Sequence, residues 1–169
     1  FTRSSSWVVT MTCRSAATDS LAMVLVEANS DGVSIERQYR VDSRVVGIVR
    51  FENVDVAEDE VLSLEAVPLF NKTLNRAAVG LSAEMLGAAE KAFEDTIAYL
   101  KERVQFDVPI GSFQALQHRA ATLYCELELL RSSVYAAAAA ADQAEEAFPR
   151  LAALAKARAN ETFLHFAKE

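Results

Sequence analysis

The sequence predicts an α+β chain in which antiparallel strands occupy residues 1–70 and an antiparallel helical bundle occupies residues 71–169. Three observations predict it. Runs of β-branched residues separated by turn chemistry fill the first seventy positions. From Asn71 the apolar period lengthens to that of a helix. The three prolines, Pro68, Pro109 and Pro149, stand where the pattern changes.

Strands are expected at Trp7 to Cys13, Leu21 to Val26, Gln38 to Val41 and Val45 to Phe51, with Asn29-Ser30-Asp31-Gly32 and Asp42-Ser43 as turns. Connections this short imply antiparallel pairing. The first helix is expected from Asn71, with Asn71 or Thr73 as its N-cap. Its core stripe reads Ala77, Leu81, Met85, Ala89, Phe93, Ile97, Leu100 and Val104. Pro109-Ile110-Gly111-Ser112 ends it. A second helix then turns Phe113, Leu116, Ala120, Leu123, Leu127, Leu130, Val134 and Ala138 inward and stops near Asp142. The third begins at Pro149, a residue suited to a first helical turn. It presents Leu151, Leu154, Ala155, Thr162, Phe163 and Phe166 to the core, with Lys156 and Arg158 left for solvent. The run of alanines from Ala136 to Ala141 reads as a place where helices pack closely.

Composition narrows the function classes. The 169 residues carry a formal net charge of −7, so the chain as a whole has no electrostatic attraction to nucleic acid or to an anionic membrane surface. No run of eighteen apolar residues occurs, and the first residues lack a basic-then-apolar signal pattern. Cys13 and Cys125 are read as free thiols. A cytoplasmic protein that neither spans a membrane nor is secreted is expected. His118 and His165 lack neighbours at metal-ligand spacing, and no Gly-x-Ser-x-Gly, Gly-x-Gly-x-x-Gly or P-loop pattern occurs. Acidic clusters such as Glu58-Asp59-Glu60, Glu94-Asp95 and Glu145-Glu146 are read as solvated faces.

One stretch is specific. Lys101-Glu102-Arg103-Val104-Gln105-Phe106-Asp107-Val108-Pro109-Ile110-Gly111-Ser112-Phe113-Gln114-Ala115-Leu116-Gln117-His118 resembles, at the same spacing, the acyl-CoA dehydrogenase signature Lys-x-Arg-x-Gln-Phe-Gly-x-Pro-Ile-Gly-x-Phe-Gln-x-x-Gln-His. Asn75-Arg76-Ala77-Ala78 through Gly87 looks like that family's substrate-side helix, and Tyr124 to Tyr135 like the helix that follows the signature. Phe51-Glu52-Asn53-Val54-Asp55-Val56 looks like the exit of its middle β-domain.

The resemblance implies a partial antiparallel β-domain, residues 1–70, followed by the first three helices of the C-terminal helical bundle, residues 71–169. It implies a flavoenzyme that oxidises an acyl-CoA thioester between its α and β carbons, with FAD as cofactor and electron-transfer flavoprotein as acceptor. It also implies a homo- or hetero-oligomer, dimer or tetramer. Arg103, Gln105, Phe106, Phe113 and Gln114 match family positions that meet the FAD of a neighbouring subunit; a guanidinium and a helix N-terminus suit pyrophosphate charge. Taken alone, Arg103 would read as a partner of the helix dipole. Phe106 and Phe113 read as hydrophobic clamps around the turn. Asn75 and Arg76 match the acyl-CoA side.

The sequence departs from the family pattern at Asp107, which replaces a glycine; aspartate tolerates positive φ better than most residues, and it adds a negative charge beside the proposed pyrophosphate site. Asn75 stands where aspartate is frequent, Ala78 where many members have arginine, and Ala77 where a minority place the catalytic glutamate. The 169 residues contain neither the Gln-x-x-Gly-Gly flavin loop nor the usual base, so a fragment or an accessory, non-catalytic association module is the alternative expectation.

Overall fold

The computed structural model describes residues 8–14, 21–41, 46–143 and 146–169, with residues 8–14 described as backbone. Trp7, the expected Asp42-Ser43 turn and Glu145 lie outside the described residues, as does the side chain of Cys13. Two compact units divide between Phe70 and Asn71.

In the first unit, β1 (Val8–Arg14) and β2 (Leu21–Glu27) pair antiparallel from Val8 opposite Glu27 to Arg14 opposite Leu21. On its other edge β2 meets β5 (Val61–Ser63), with a register irregularity between Met23 and Val24. Paired along both edges, β2 buries Ala22, Met23, Val24 and Val26. The hairpin of β3 (Val33–Gln38) and β4 (Val46–Phe51) forms a separate two-stranded sheet, pinned by an Arg50 to Glu36 ion pair of 3.0 Å. Gly32 enters it at φ +82, and a side chain there would place its Cβ 2.2 Å from the Glu52 carbonyl oxygen.

Two strand expectations need correction. The strand expected over Gln38 to Val41 starts five residues earlier and ends at Gln38, because the chain leaving the Gly32 turn pairs at once with β4. Tyr39 and Val41 are then fully solvent-facing, with Arg37 stacked 5.5 Å from the Tyr39 ring centroid. β5, too short to show a period, was not expected.

The helices are α1 (Ala66–Glu102), α2 (Gln114–Asp142) and α3 (Phe148–Phe166). Among the described residues no helix is long and apolar enough to cross a membrane. α1 starts before the expected cap, so Asn71 and Thr73 lie inside it. Pro68 falls in the first turn, where the missing N–H has no intrahelical acceptor to lose. The core stripe of α1 holds as expected at Met85, Ala89 and Phe93 and departs from expectation elsewhere. Ser82 and Leu86 are buried, with Val79 packed beside them, whereas Ala77 is exposed, Leu81 is 46% exposed and Val104 has left the helix. Ser82 tolerates burial because its hydroxyl donates to the Ala78 carbonyl at 2.7 Å.

α2 buries Leu123, Leu127, Leu130 and Val134 on the expected stripe, then Ala137 and Ala140 in place of Ala138. α3 buries Phe148, Ala152, Ala155, Ala159 and Thr162; Leu154 and Phe163 face outward, contrary to expectation, and Lys156 and Arg158 are half-buried. Ala137, Ala140, Ala152, Ala155 and Ala159 are each at most 1% exposed. Side chains this small let α2 and α3 approach closely. Leu86, Leu127, Leu130 and Val134 fill the space shared with α1. Arg131 of α2 pairs across to Glu90 of α1 at 2.5 Å and, within α2, with Glu128 at 3.1 Å. Burial opposes the guanidinium's charge, the two carboxylates outweigh it, and the Arg131 pKa is raised.

Candidate cofactor-facing turn

The residues matched by the signature converge where α1 hands the chain to α2. α1 ends at Glu102, and the Arg103 N–H donates to the Tyr99 carbonyl at 2.9 Å. Strands β6 (Val104–Gln105) and β7 (Val108–Pro109) then form a minimal hairpin. Its two turn residues, Phe106 at φ 54 and Asp107 at φ 63, are both left-handed, the backbone that matches a tight hairpin to strand twist. Aspartate accepts that conformation readily; phenylalanine does so at a cost. The Phe106 ring is 87% exposed and meets Phe113 edge-on, with centroids 6.1 Å apart at 81°. That contact is the clamp across the turn.

The Ile110 N–H donates to the Arg103 carbonyl at 2.8 Å and closes the hairpin. A 3₁₀ turn follows over Ile110–Ser112, with the Ser112 hydroxyl donating to the Pro109 carbonyl at 2.7 Å. Gly111 fits because it has no side chain: a Cβ would lie 2.9 Å from the Leu100 carbonyl oxygen, in the last turns of α1. The N-cap of α2 is Phe113, which has no side-chain acceptor. Its carbonyl accepts from the N–H groups of Leu116 and Gln117 at 3.0 and 3.1 Å. The N–H groups of Gln114 and Ala115 have no partner among the described residues. Arg103 is exposed, and its guanidinium makes no ion pair or hydrogen bond among the described residues.

Arg103, Gln105, Phe106, Phe113 and Gln114 therefore share one short segment. A free cation and a helix start with open donors lie on it together, an arrangement that attracts a phosphate-bearing ligand. The Gln105 amide donates to the Val104 carbonyl at 2.9 Å, and Gln114 is exposed. Asn75 and Arg76 lie elsewhere. Glu102 follows Asn75 by twenty-seven helical steps, about 40 Å along α1. One chain does not bring the two sets together.

A concavity of about 180 Å³ is lined by Phe93, Leu100, Leu123, Phe166 and Arg119, among others. It is a poorer anion site, because Arg119 is already paired with Glu169 through a 2.5 Å hydrogen bond. His165 pairs with Glu126 at 2.9 Å, and His118 is exposed. Sequence reasoning overlooked Gln117, whose side-chain amide donates to the Gly111 carbonyl at 2.9 Å. The available signal was its place one turn after Gln114.

Comparison with known proteins adds four findings. A family model described as "Acyl-CoA dehydrogenase, C-terminal domain" matches residues 67–169. The chain is 36% identical over 142 residues to the short/branched chain specific acyl-CoA dehydrogenase, mitochondrial, of Rattus norvegicus, covering 81% of this chain and 33% of that protein. It is 49% identical over 77 residues to acyl-CoA dehydrogenase IpdE2 of Mycobacterium tuberculosis, covering 46% and 24%. Among solved structures, the ChsE4-ChsE5 complex from Mycobacterium tuberculosis is similar with a TM-score of 0.72 at 26% identity, over 95% of this chain and 44% of that one. The chain spans about a third of the length of the rat relative.

Proposed function

The chain belongs to the acyl-CoA dehydrogenase family, and on that premise we propose that it contributes the flavin-facing turn and part of the substrate side of an FAD-dependent enzyme that removes hydrogen from the α and β carbons of an acyl-CoA thioester. The observation that supports this most is the unpaired, exposed Arg103 beside the open start of α2. FAD presents a pyrophosphate, and these are the donors that fit one. When bound, FAD supplies the acceptor for the β-hydride.

In this reading Arg103 neutralises phosphate charge, and Gln105 and Gln114 add amide donors. Phe106 and Phe113 hold the turn in shape and shield one side of it. Asn75 and Arg76 serve the acyl-CoA. Because about 40 Å of helix separates them from the turn, a complete site takes the turn from one subunit and the substrate side from another, which makes an oligomer a requirement of the chemistry. Electron-transfer flavoprotein is the proposed acceptor.

The test is flavin retention. Arg103→Ala is expected to weaken flavin binding about tenfold or more, the cost of a lost charged hydrogen bond, with the melting temperature unchanged. Unchanged retention in a folded variant would refute the assignment. A second reading, an accessory subunit that works beside a catalytic partner chain, is favoured by the likeness to the two-component ChsE4-ChsE5 complex. Turnover that appears only when a partner chain is added would select it.

A further inference from the structure

We propose that Gln117 is a positioning residue for the cofactor-facing turn, setting the spacing between Arg103 and the open first turn of α2. The inference rests on the flavin reading above. Gln117 is the fourth residue of α2, and its amide reaches back six positions to donate to the Gly111 carbonyl at 2.9 Å. Gly111 is the point where three elements meet. On one side it abuts the Leu100 carbonyl of α1, with no room for a Cβ; on the other, its neighbour Ile110 is bonded to Arg103 at 2.8 Å. Whatever holds Gly111 to α2 therefore holds Arg103 at a set distance from the Gln114 and Ala115 N–H groups.

Among the described residues, Gln117 makes the one side-chain hydrogen bond that runs from α2 to the 3₁₀ turn. The N-cap cannot do this, because Phe113 has no polar side-chain atom. The amide is solvent-exposed, so it contributes little to global stability. Its effect is on placement. Two groups that engage one ligand lose affinity when either wanders, because the ligand must then order them on binding.

The experiment compares Gln117→Met, Arg103→Ala and the double variant in the purified native assembly, reading the flavin dissociation constant and the thermal melt. Gln117→Met, similar in length but without a donor, is expected to weaken flavin binding about fivefold while the melt moves by no more than about 2 °C. In the Arg103→Ala background the same substitution is expected to add little, because the group it positions is gone. Unchanged flavin affinity in Gln117→Met while Arg103→Ala loses flavin would overturn the positioning role and leave the flavin reading standing. Full additivity in the double variant, or a Gln117→Met protein with no cooperative melt, would overturn it as well. Loss of effect in Arg103→Ala would instead refute the flavin reading itself.

Discussion

The alanine seam between α2 and α3 and the hairpin at 103–109 belong to one compact unit and are built on opposite terms. The seam has five alanines at most 1% exposed and no group that could react. The hairpin is exposed throughout its two short strands, holds two non-glycine residues at positive φ, and presents a free guanidinium. Stability resides in the first, and the proposed ligand chemistry in the second. Substitutions should therefore separate cleanly into those that lower the melt and those that change what the turn binds.

The largest separation is expected from Leu130→Ala. Leu130 is fully buried where all three helices meet, and its truncation should cost about 2–5 kcal/mol in denaturant unfolding, with flavin affinity of the remaining folded fraction unchanged. Next comes Ala159→Leu, which forces three carbons into the closed seam and should cost about 1–3 kcal/mol. A neutral result there would show that α2 and α3 are not as close as five buried alanines imply. Gly111→Ala sharpens the comparison from the other side. Its Cβ would press on a backbone carbonyl that cannot move independently, at a cost of about 1 kcal/mol, and a loss of flavin larger than the loss of stability is expected. The smallest effect is expected from Asp107→Gly. Relieving φ 63 should raise stability by up to about 1 kcal/mol, and removing the carboxylate should tighten flavin binding slightly. Weaker flavin binding would mean that Asp107 is a contact and not an intrusion.

Side-chain volume explains what was legible in the sequence. The α2 stripe could be read because Leu123, Leu127, Leu130 and Val134 are large, apolar and regularly spaced. On α1 and α3 the same rule favoured Leu81, Leu154 and Phe163, all of which face outward, over Ser82, Ala152 and Ala159, which are buried. Periodicity weighs hydrophobicity, whereas close packing here selects smallness. The start of α1 was hidden by Pro68, which reads as a break but is harmless in a first turn. The segment proposed to face the cofactor was legible from its motif, and a tolerance of positive φ at Asp107 was legible from residue chemistry. Positive φ at Phe106 was not, since nothing in a phenylalanine side chain favours it. The reach of Gln117 to Gly111 depends on a rotamer, which spacing does not reveal.

The alanine seam also bears on the order in which the bundle assembles. Alanine has no rotamers to freeze, so closing the α2 and α3 interface costs almost no side-chain entropy. Five residues, 143–147, join the two helices, so bringing them together costs little loop-closure entropy either. The pair is thus the cheapest long contact in the unit to form. It becomes the natural folding nucleus onto which α1 docks last, and in native-state hydrogen exchange the amides around Ala137, Ala155 and Ala159 should be the slowest to open.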